Sequence, residues 1–233
     1  MKASFTSNEI VTSAPRPAAA VANGPVRYRA LWSSAGAERV WSIDQDLWIA
    51  ETAHSTCWVL TWKLGEDRLA SLGLAKGSPR RDARSQDAAF FAVRGPGGAH
   101  QVHRVPFPVP QHSFVRLRAF CLSGEEQHHW VAWVRDEVSG RAVQIGRFSL
   151  ACAEPASQLA NESIHYGPVT SRDAVPPSLV YWTSPRCNVQ SDGTFASAPV
   201  LTCGEAAGEI AGTVMPWSFG WGPGARVRAG GPP

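Results

Sequence analysis

The chemistry open to this chain rests on its tryptophans, its arginines, one pair of aspartates and its histidines. Ten tryptophans occur in 233 residues. An indole buries a large apolar surface and keeps one N–H donor, so it serves either a core or a platform for a flat ligand. Trp58, Trp62, Trp130 and Trp133 lie in strongly alternating apolar segments and read as core. Trp182 precedes Thr183-Ser184-Pro185, while Trp217 and Trp221 fall in PWSFGWG, where small neighbours leave a ring open. These three form the expected platform, suited to a carbohydrate ring or a small apolar ligand.

Arg116, Arg118, Arg135 and Arg141 fall on one face of neighbouring segments, which fits a solvent face or a groove for an anionic ligand. Arg116, together with His129, completes the expected ligand-contacting set with Trp182, Trp217 and Trp221. Asp44-Gln45-Asp46 puts two carboxylates on one side of a strand. That is the arrangement of a glycosidase pair where strands curve suitably, and of a solvated turn otherwise. The histidines give no metal signature. A metal needs three or four converging ligands, and His100 and His103, like His128 and His129, point to opposite faces of a strand. A cross-strand set such as His103, His129 and His165 is geometrically possible, and no spacing in the sequence supports it. No metal and no cofactor are expected. G-x-S-x-G, a Gly-rich phosphate loop and H-E-x-x-H are all missing from the sequence, so no nucleophile motif is present.

The elements that must hold these residues are strands. HHWVAWVRDEVSGRAVQIGRFSLAC, from His128 to Cys152, reads as a hairpin: Trp130, Ala132 and Val134 share one face, Val131, Trp133 and Arg135 the other, and Asp136 to Gly140 turn the chain. In the second arm Val143, Ile145 and Arg147 stand opposite Ala142, Gln144 and Phe148. A strand over 113–121 precedes the hairpin, making an antiparallel meander. Further strands are expected over 26–32, 56–63, 69–75, 88–94, 101–107, 162–166, 178–183 and 209–215. Two short ones, 39–43 and 47–51, flank Asp44-Gln45-Asp46 as a turn. Residues 154–160 are read as a helical turn, and 187–203 as a hairpin around Ser191-Asp192-Gly193. Residues 1–25 and 223–233 are read as flexible tails around one domain at 26–222.

Composition narrows the rest. Charged residues are 18% of the chain, against 21 glycines and 18 prolines, which favours many short strands. The net charge of +3 is dispersed, which argues against a nucleic-acid partner. No apolar run is long enough for a membrane-spanning helix. Five cysteines without C-x-x-C, and a start that does not read as a signal peptide, point to a cytoplasmic protein, or to an exported one if a leader has been lost. An oxidising compartment would instead pair Cys187 with Cys203.

About a dozen short strands without a fixed repeat imply an all-β antiparallel sandwich, with a barrel as the alternative. The pieces TCWVLTWKLG, HHWVAWVRDEVSGRAVQIGRFSL and NESIHYG, in that order, resemble the concanavalin-like (jelly-roll) sandwiches of uncharacterised bacterial domains that accompany carbohydrate-active modules. The resemblance covers residues 26–166. It implies a carbohydrate-binding sandwich; the Asp and Asn calcium ligands of legume-type lectins have no counterpart in this sequence. The sequence therefore points to non-catalytic ligand recognition. The alternative is an enzyme with an apolar cavity, acting on a polysaccharide or cyclising a small natural product. Oligomeric state is left open by the sequence.

Overall fold

The computed structural model describes residues 25–33, 40–77, 86–123, 128–150, 156–167, 175–188, 200–202, 212–220 and 222–230. These residues form β1 (Val26–Ser33), β2 (Ser42–Glu51), β3 (Thr56–Leu64), β4 (Arg68–Lys76), β5 (Ala88–Arg94), β6 (His100–Pro106), β7 (Phe114–Ser123) and β8 (His128–Asp136). The second half contributes β9 (Ala142–Leu150), β10 (Ala156–His165), β11 (Ser178–Thr183), β12 (Arg186–Asn188), β13 (Val200–Thr202), β14 (Gly212–Phe219) and β15 (Gly222–Ala229). The strands make two antiparallel sheets. One has seven strands in the order β13-β1-β10-β3-β4-β5-β6; the other has eight, in the order β14-β15-β11-β2-β7-β8-β9, with β12 beside β2. Neither sheet closes on itself, so the molecule is a sandwich and not a barrel.

Period-two alternation decides which residues enter the space between the sheets. Trp58, Leu60, Trp62 and Leu64 point inward from β3, and Trp130, Ala132 and Val134 from β8; all are buried. A line of packed rings crosses this space. Phe148 lies 4.7 Å from Phe91, Phe91 6.0 Å from Trp62, and Trp62 5.6 Å from Trp130, ring centre to ring centre. One open side of the sandwich, between the edge strands β6 and β9, is filled by His103. Its ring packs on Phe148 at 4.7 Å, and its Nε2 lies 3.0 Å from the Arg147 carbonyl. Gly146 lies directly beneath this imidazole, where a Cβ would collide with the His103 ring.

Several expectations change at the level of elements. Residues 42–51 are one strand, not two around a turn: Asp44 and Asp46 pair with Arg118 and Arg116 of β7, so the carboxylates are matched within a sheet. Residues 156–165 are strand β10, not a helical turn, because Leu64 and Lys63 of β3 extend to pair with Ala156 and Ser157. The ends of the hairpin expected over 187–203 do not pair with one another, and its turn at Ser191-Asp192-Gly193 lies outside the described residues. Cys187 in β12 pairs with Ile43 of β2, whereas β13 pairs with β1 in the other sheet. The expected C-terminal tail is largely strand: β15 lies between β11 and β14, with Ala225, Val227 and Ala229 buried and Arg226 and Arg228 on the opposite face. Residues 1–24, the greater part of the expected N-terminal tail, lie outside the described residues, and β1 begins where the first strand was expected.

Cys57 and Cys187 are free thiols, and burial pushes both up to about 12, for Cys57 against the lowering influence of Arg104. Cys203, the expected partner of Cys187, lies outside the described residues. At about pH 8 the thiolate fraction of such groups is on the order of one in ten thousand, and the thiolate is the nucleophile. Alkylation of the folded protein followed by mass spectrometry should therefore leave Cys57 and Cys187 unmodified, while the unfolded chain reacts at both. Rapid native labelling of either would contradict this burial. Among the described residues no helix is long and apolar enough to cross a membrane.

Candidate ligand-binding face

The residues with chemical potential gather on the outer face of the eight-stranded sheet. Strand register sorts them into rungs that cross the strands. In the first rung Met215, Arg226, Tyr181, Trp48 and Phe114 are successive partners from β14 to β7. In the second, Asp46, Arg116, Arg135 and Ala142 run from β2 to β9. In the third, Arg186, Asp44, Arg118, Trp133 and Gln144 run from β12 to β9. The face thus changes from aromatic to charged within one rung, and carries an indole, Trp133, on β8.

The aromatic rung is a connected ledge. Trp48 lies 5.8 Å from Phe114 and 5.6 Å from Tyr181, and Tyr181 lies 5.1 Å from Trp217. Phe219 leans over it, 6.3 Å from Phe114 and 6.5 Å from Tyr181. In sheet order β14 and β7 are four steps apart, which in a flat sheet is about 19 Å. The contact between Phe219 and Phe114 therefore requires the face to curl, with the β14 end folded over it. Gly224 makes room: a Cβ there would run into the Phe219 ring.

Beside the ledge, carboxylates sit low and guanidiniums stand above them. The Asp44 side chain is 8% exposed and that of Asp46 15%, whereas Arg118 and Arg186 are 50% and 49% exposed. Arg116 reaches Asp46 at 2.8 Å, Asp44 at 3.5 Å and Glu137 at 3.4 Å. Arg118 bonds Asp44 through both Nε and Nη2, and Arg186 Nη2 spans Asp44 at 2.9 Å and Asp46 at 3.2 Å. Arg135 adds a pair with Glu137 at 3.7 Å. The hydrogen bond to Asp46 raises the Arg116 guanidinium above its ordinary value, against the lowering effect of burial. Both oxygens of each aspartate are engaged by arginine. The pair therefore anchors guanidiniums and does not have the open geometry of a glycosidase acid and base, which must face a substrate.

The anchoring depends on an irregular edge. Strand β11 ends at Thr183, and β12 resumes pairing with β2 from Arg186, so Ser184 and Pro185 form a jog. At the jog Thr183 Oγ1 substitutes for ladder partners, accepting from the Asp46 N–H at 3.0 Å and donating to the Asp46 carbonyl at 3.1 Å. The freed Thr183 carbonyl accepts from Gln45 Nε2 at 2.6 Å. Gln45 points inward and also exchanges amide hydrogen bonds with Asn161 of the other sheet, both at 2.8 Å, and Trp32 Nε1 donates to the same Asn161 oxygen at 2.6 Å. The jog is what brings Arg186 onto the third rung.

Next to the charges is a pocket of about 360 Å³ lined by Arg116, Arg118, Phe120, Trp133, Val134, Arg135 and Ala142. Its volume falls at the small end of ligand sites, roughly 300–1,000 Å³. Trp133 is half-buried here and is not core, because it occupies the outer phase of β8.

Of the residues expected to bind, Arg116, Trp217 and His129 share this face. Arg116 is in the pocket. Trp217 is 39% exposed at the far edge, with the Arg226 guanidinium 5.9 Å over its ring. His129 lies toward the other end of β8, its Nδ1 3.0 Å from Ser149 Oγ, outside the pocket lining. Trp182 is not exposed: it follows Ser178 and Val180 on the inner phase of β11 and is fully buried. Trp221 lies outside the described residues. Arg141 leaves the arginine group to sit 5.8 Å from the Phe107 ring. His103, His129 and His165 are held apart at β6–β9, β8–β9 and β10–β3, and among the described residues no cluster of His, Cys, Asp or Glu gathers to hold a metal. Arg186 was missed by sequence reading because its strand was assigned to a hairpin. Its pairing with Asp44 is a contact between distant parts of the chain.

No family model matches the chain, and no curated protein matches it. Among solved structures it is similar to scytalido-glutamic peptidase bound to a peptide-based transition state analog (10% identity, TM-score 0.48, 88% of this chain and 97% of that one). Peanut lectin with a nonamer peptide gives 10% identity and a TM-score of 0.35 over 63% of this chain and 75% of the lectin. A heptameric SAP-like pentraxin from Limulus polyphemus gives 7% and 0.34 over 89% and 70%. At these identities and TM-scores none of the likenesses transfers a substrate or a reaction to this chain.

Proposed function

We propose that this protein is a ligand-recognition sandwich that takes a carbohydrate on the outer face of its eight-stranded sheet, with Trp133 as the stacking surface. One observation carries the reading: a half-buried indole, Phe120, Val134 and Ala142 form the apolar part of a small pocket that Arg116, Arg118 and Arg135 complete. A sugar ring offers an apolar C–H face to an aromatic surface and hydroxyls to surrounding donors. Arg116, Arg118 and Arg135 supply those donors from the guanidinium N–H groups that their carboxylate partners leave over. A purely apolar ligand would strip water from these charges without replacing their hydrogen bonds. The Asp44–Asp46 pair serves this reading as an anchor that fixes the arginines in advance of binding, which lowers the ordering cost on association.

Trp133→Ala should weaken glycan binding about tenfold, equivalent to roughly 1.4 kcal/mol, while Trp133→Phe keeps a flat ring and most of the affinity. The measurement is titration calorimetry against the best glycan from an array, with melting temperature as the folding control. A folded protein that binds no glycan, or an alanine variant of unchanged affinity, would end this reading.

A further inference from the structure

We infer that the ligand is an extended acidic glycan, a chain of uronic-acid residues lying across the strands, with Arg186 as the contact that makes a long chain bind better than a short one. The inference rests on the carbohydrate reading above. Its basis is the third rung, where Trp133, Arg118, Asp44 and Arg186 are successive neighbours on four strands. Three strand spacings separate the indole from Arg186, about 14 Å. A single sugar on Trp133 meets Arg118 on the adjoining strand first, and the Arg186 guanidinium lies beyond it, on the other oxygen of Asp44.

The donors left over define the group that binds. Arg186 uses only Nη2 on Asp44 and Asp46, so among the described residues its Nε and Nη1 have no protein partner. Arg118 uses Nε and Nη2, which leaves Nη1. Both side chains are half-exposed while the carboxylates they hold are sunk below them. A guanidinium edge facing water matches a carboxylate as a planar fork. Repeated carboxylates along a chain would meet Arg118 and Arg186 in turn.

Charge balance separates this ligand from other polyanions. Arg116, Arg118, Arg135 and Arg186 contribute four positive charges, and Asp44, Asp46 and Glu137 three negative ones, so 4 − 3 leaves +1 for the cluster. The whole chain carries only +3. Tracking a nucleic-acid backbone takes a concentrated basic surplus. A uronic-acid chain needs fewer charges, because each of its rings also has an apolar face to place on Trp133.

The experiment measures affinity for galacturonic acid dimer and hexamer, the neutral glucose hexamer, poly-glutamate and a single-stranded oligonucleotide, on the full chain and on Arg186→Ala and Arg186→Lys. The acidic hexamer should bind about tenfold tighter than either the acidic dimer or the neutral hexamer, the scale of one charge-assisted contact. Arg186→Ala should bring the acidic hexamer down to the dimer's affinity and leave the dimer unchanged; Arg186→Lys, without the fork, should recover only part of the gain. Equal binding of neutral and acidic hexamers would overturn the inference and leave the carbohydrate reading standing. So would poly-glutamate or the oligonucleotide binding as tightly as the acidic hexamer, or Arg186→Ala weakening dimer and hexamer alike. Failure of every glycan to bind would remove both.

Discussion

Trp62→Ala should lower the free energy of unfolding by about 3–5 kcal/mol, the range for a large aromatic truncated in a core. Trp62 is fully buried on β3 and sits between rings from both sheets: Phe91 on its own sheet at 6.0 Å and Trp130 on the opposite one at 5.6 Å. Phe91 in turn carries Phe148, which supports His103 at the open side. Removing the indole empties the middle of this line, and the flanking strands are each paired on both sides, so the backbone cannot collapse to fill the space. Urea denaturation should show a lower midpoint with an unchanged slope. Trp217→Ala is the comparison, because that ring is part-exposed at a sheet edge; its cost should stay near the roughly 0.5 kcal/mol typical of surface changes. Equal losses for the two variants would mean that the ring line does not hold the sheets together.

The comparison of these two tryptophans also shows what the sequence could reveal. Alternation along β3 and β8 placed Trp58, Trp62 and Trp130 in the core correctly, since every other residue in those segments is apolar and no irregularity intervenes. The same alternation, followed strictly, separates Trp133 from Trp130, and composition alone had grouped them. Trp182 was misjudged from its neighbours Ser184 and Pro185, which lie past the strand end; the phase of Ser178, Val180 and Trp182 was the better guide. On β9 the phase itself changes. Ala132 pairs with Gly146 and Trp133 with Gln144, so Ile145 is an extra residue in a bulge. Phe148 and Leu150 therefore fall inward with Val143, a shift that local pattern cannot signal.

The charged part of the site was legible only in pieces. Arg116 and Arg118 were visible as a solvent-facing pair, and Asp44 and Asp46 as two carboxylates on one side of a strand. Which of them meet depends on β2 lying beside β7, about 70 residues later in the chain, and on β12 adding Arg186 from further still. Sequence spacing carries no such information, because an antiparallel sheet can place almost any two strands side by side.

Gln45→Leu and Asn161→Leu should each destabilise the protein strongly, and together by less than the sum. The two amides face one another across the sandwich, Gln45 from β2 and Asn161 from β10, and both are fully buried. Leucine at 45 leaves Asn161 Nδ2 and the Thr183 carbonyl without a partner; leucine at 161 strands the Trp32 N–H and Gln45 Oε1. A buried polar group left unpaired costs about 1–3 kcal/mol, so each single change should cost roughly 2–5 kcal/mol. In the double variant neither amide remains to be orphaned by the other, and a double-mutant cycle should return a coupling within about 0.5–3 kcal/mol. Strict additivity would show that the amides do not act as a unit. The network also reaches the binding face, because Gln45 holds the Thr183 carbonyl at the jog from which Arg186 enters the third rung. Gln45→Leu, assayed well below its melting temperature, should therefore reduce affinity for the acidic hexamer while sparing the dimer, which rests on Trp133 and Arg118 alone. A merely destabilised fold would weaken both ligands in proportion, so the ratio of the two affinities tests whether a buried amide sets the position of a surface arginine.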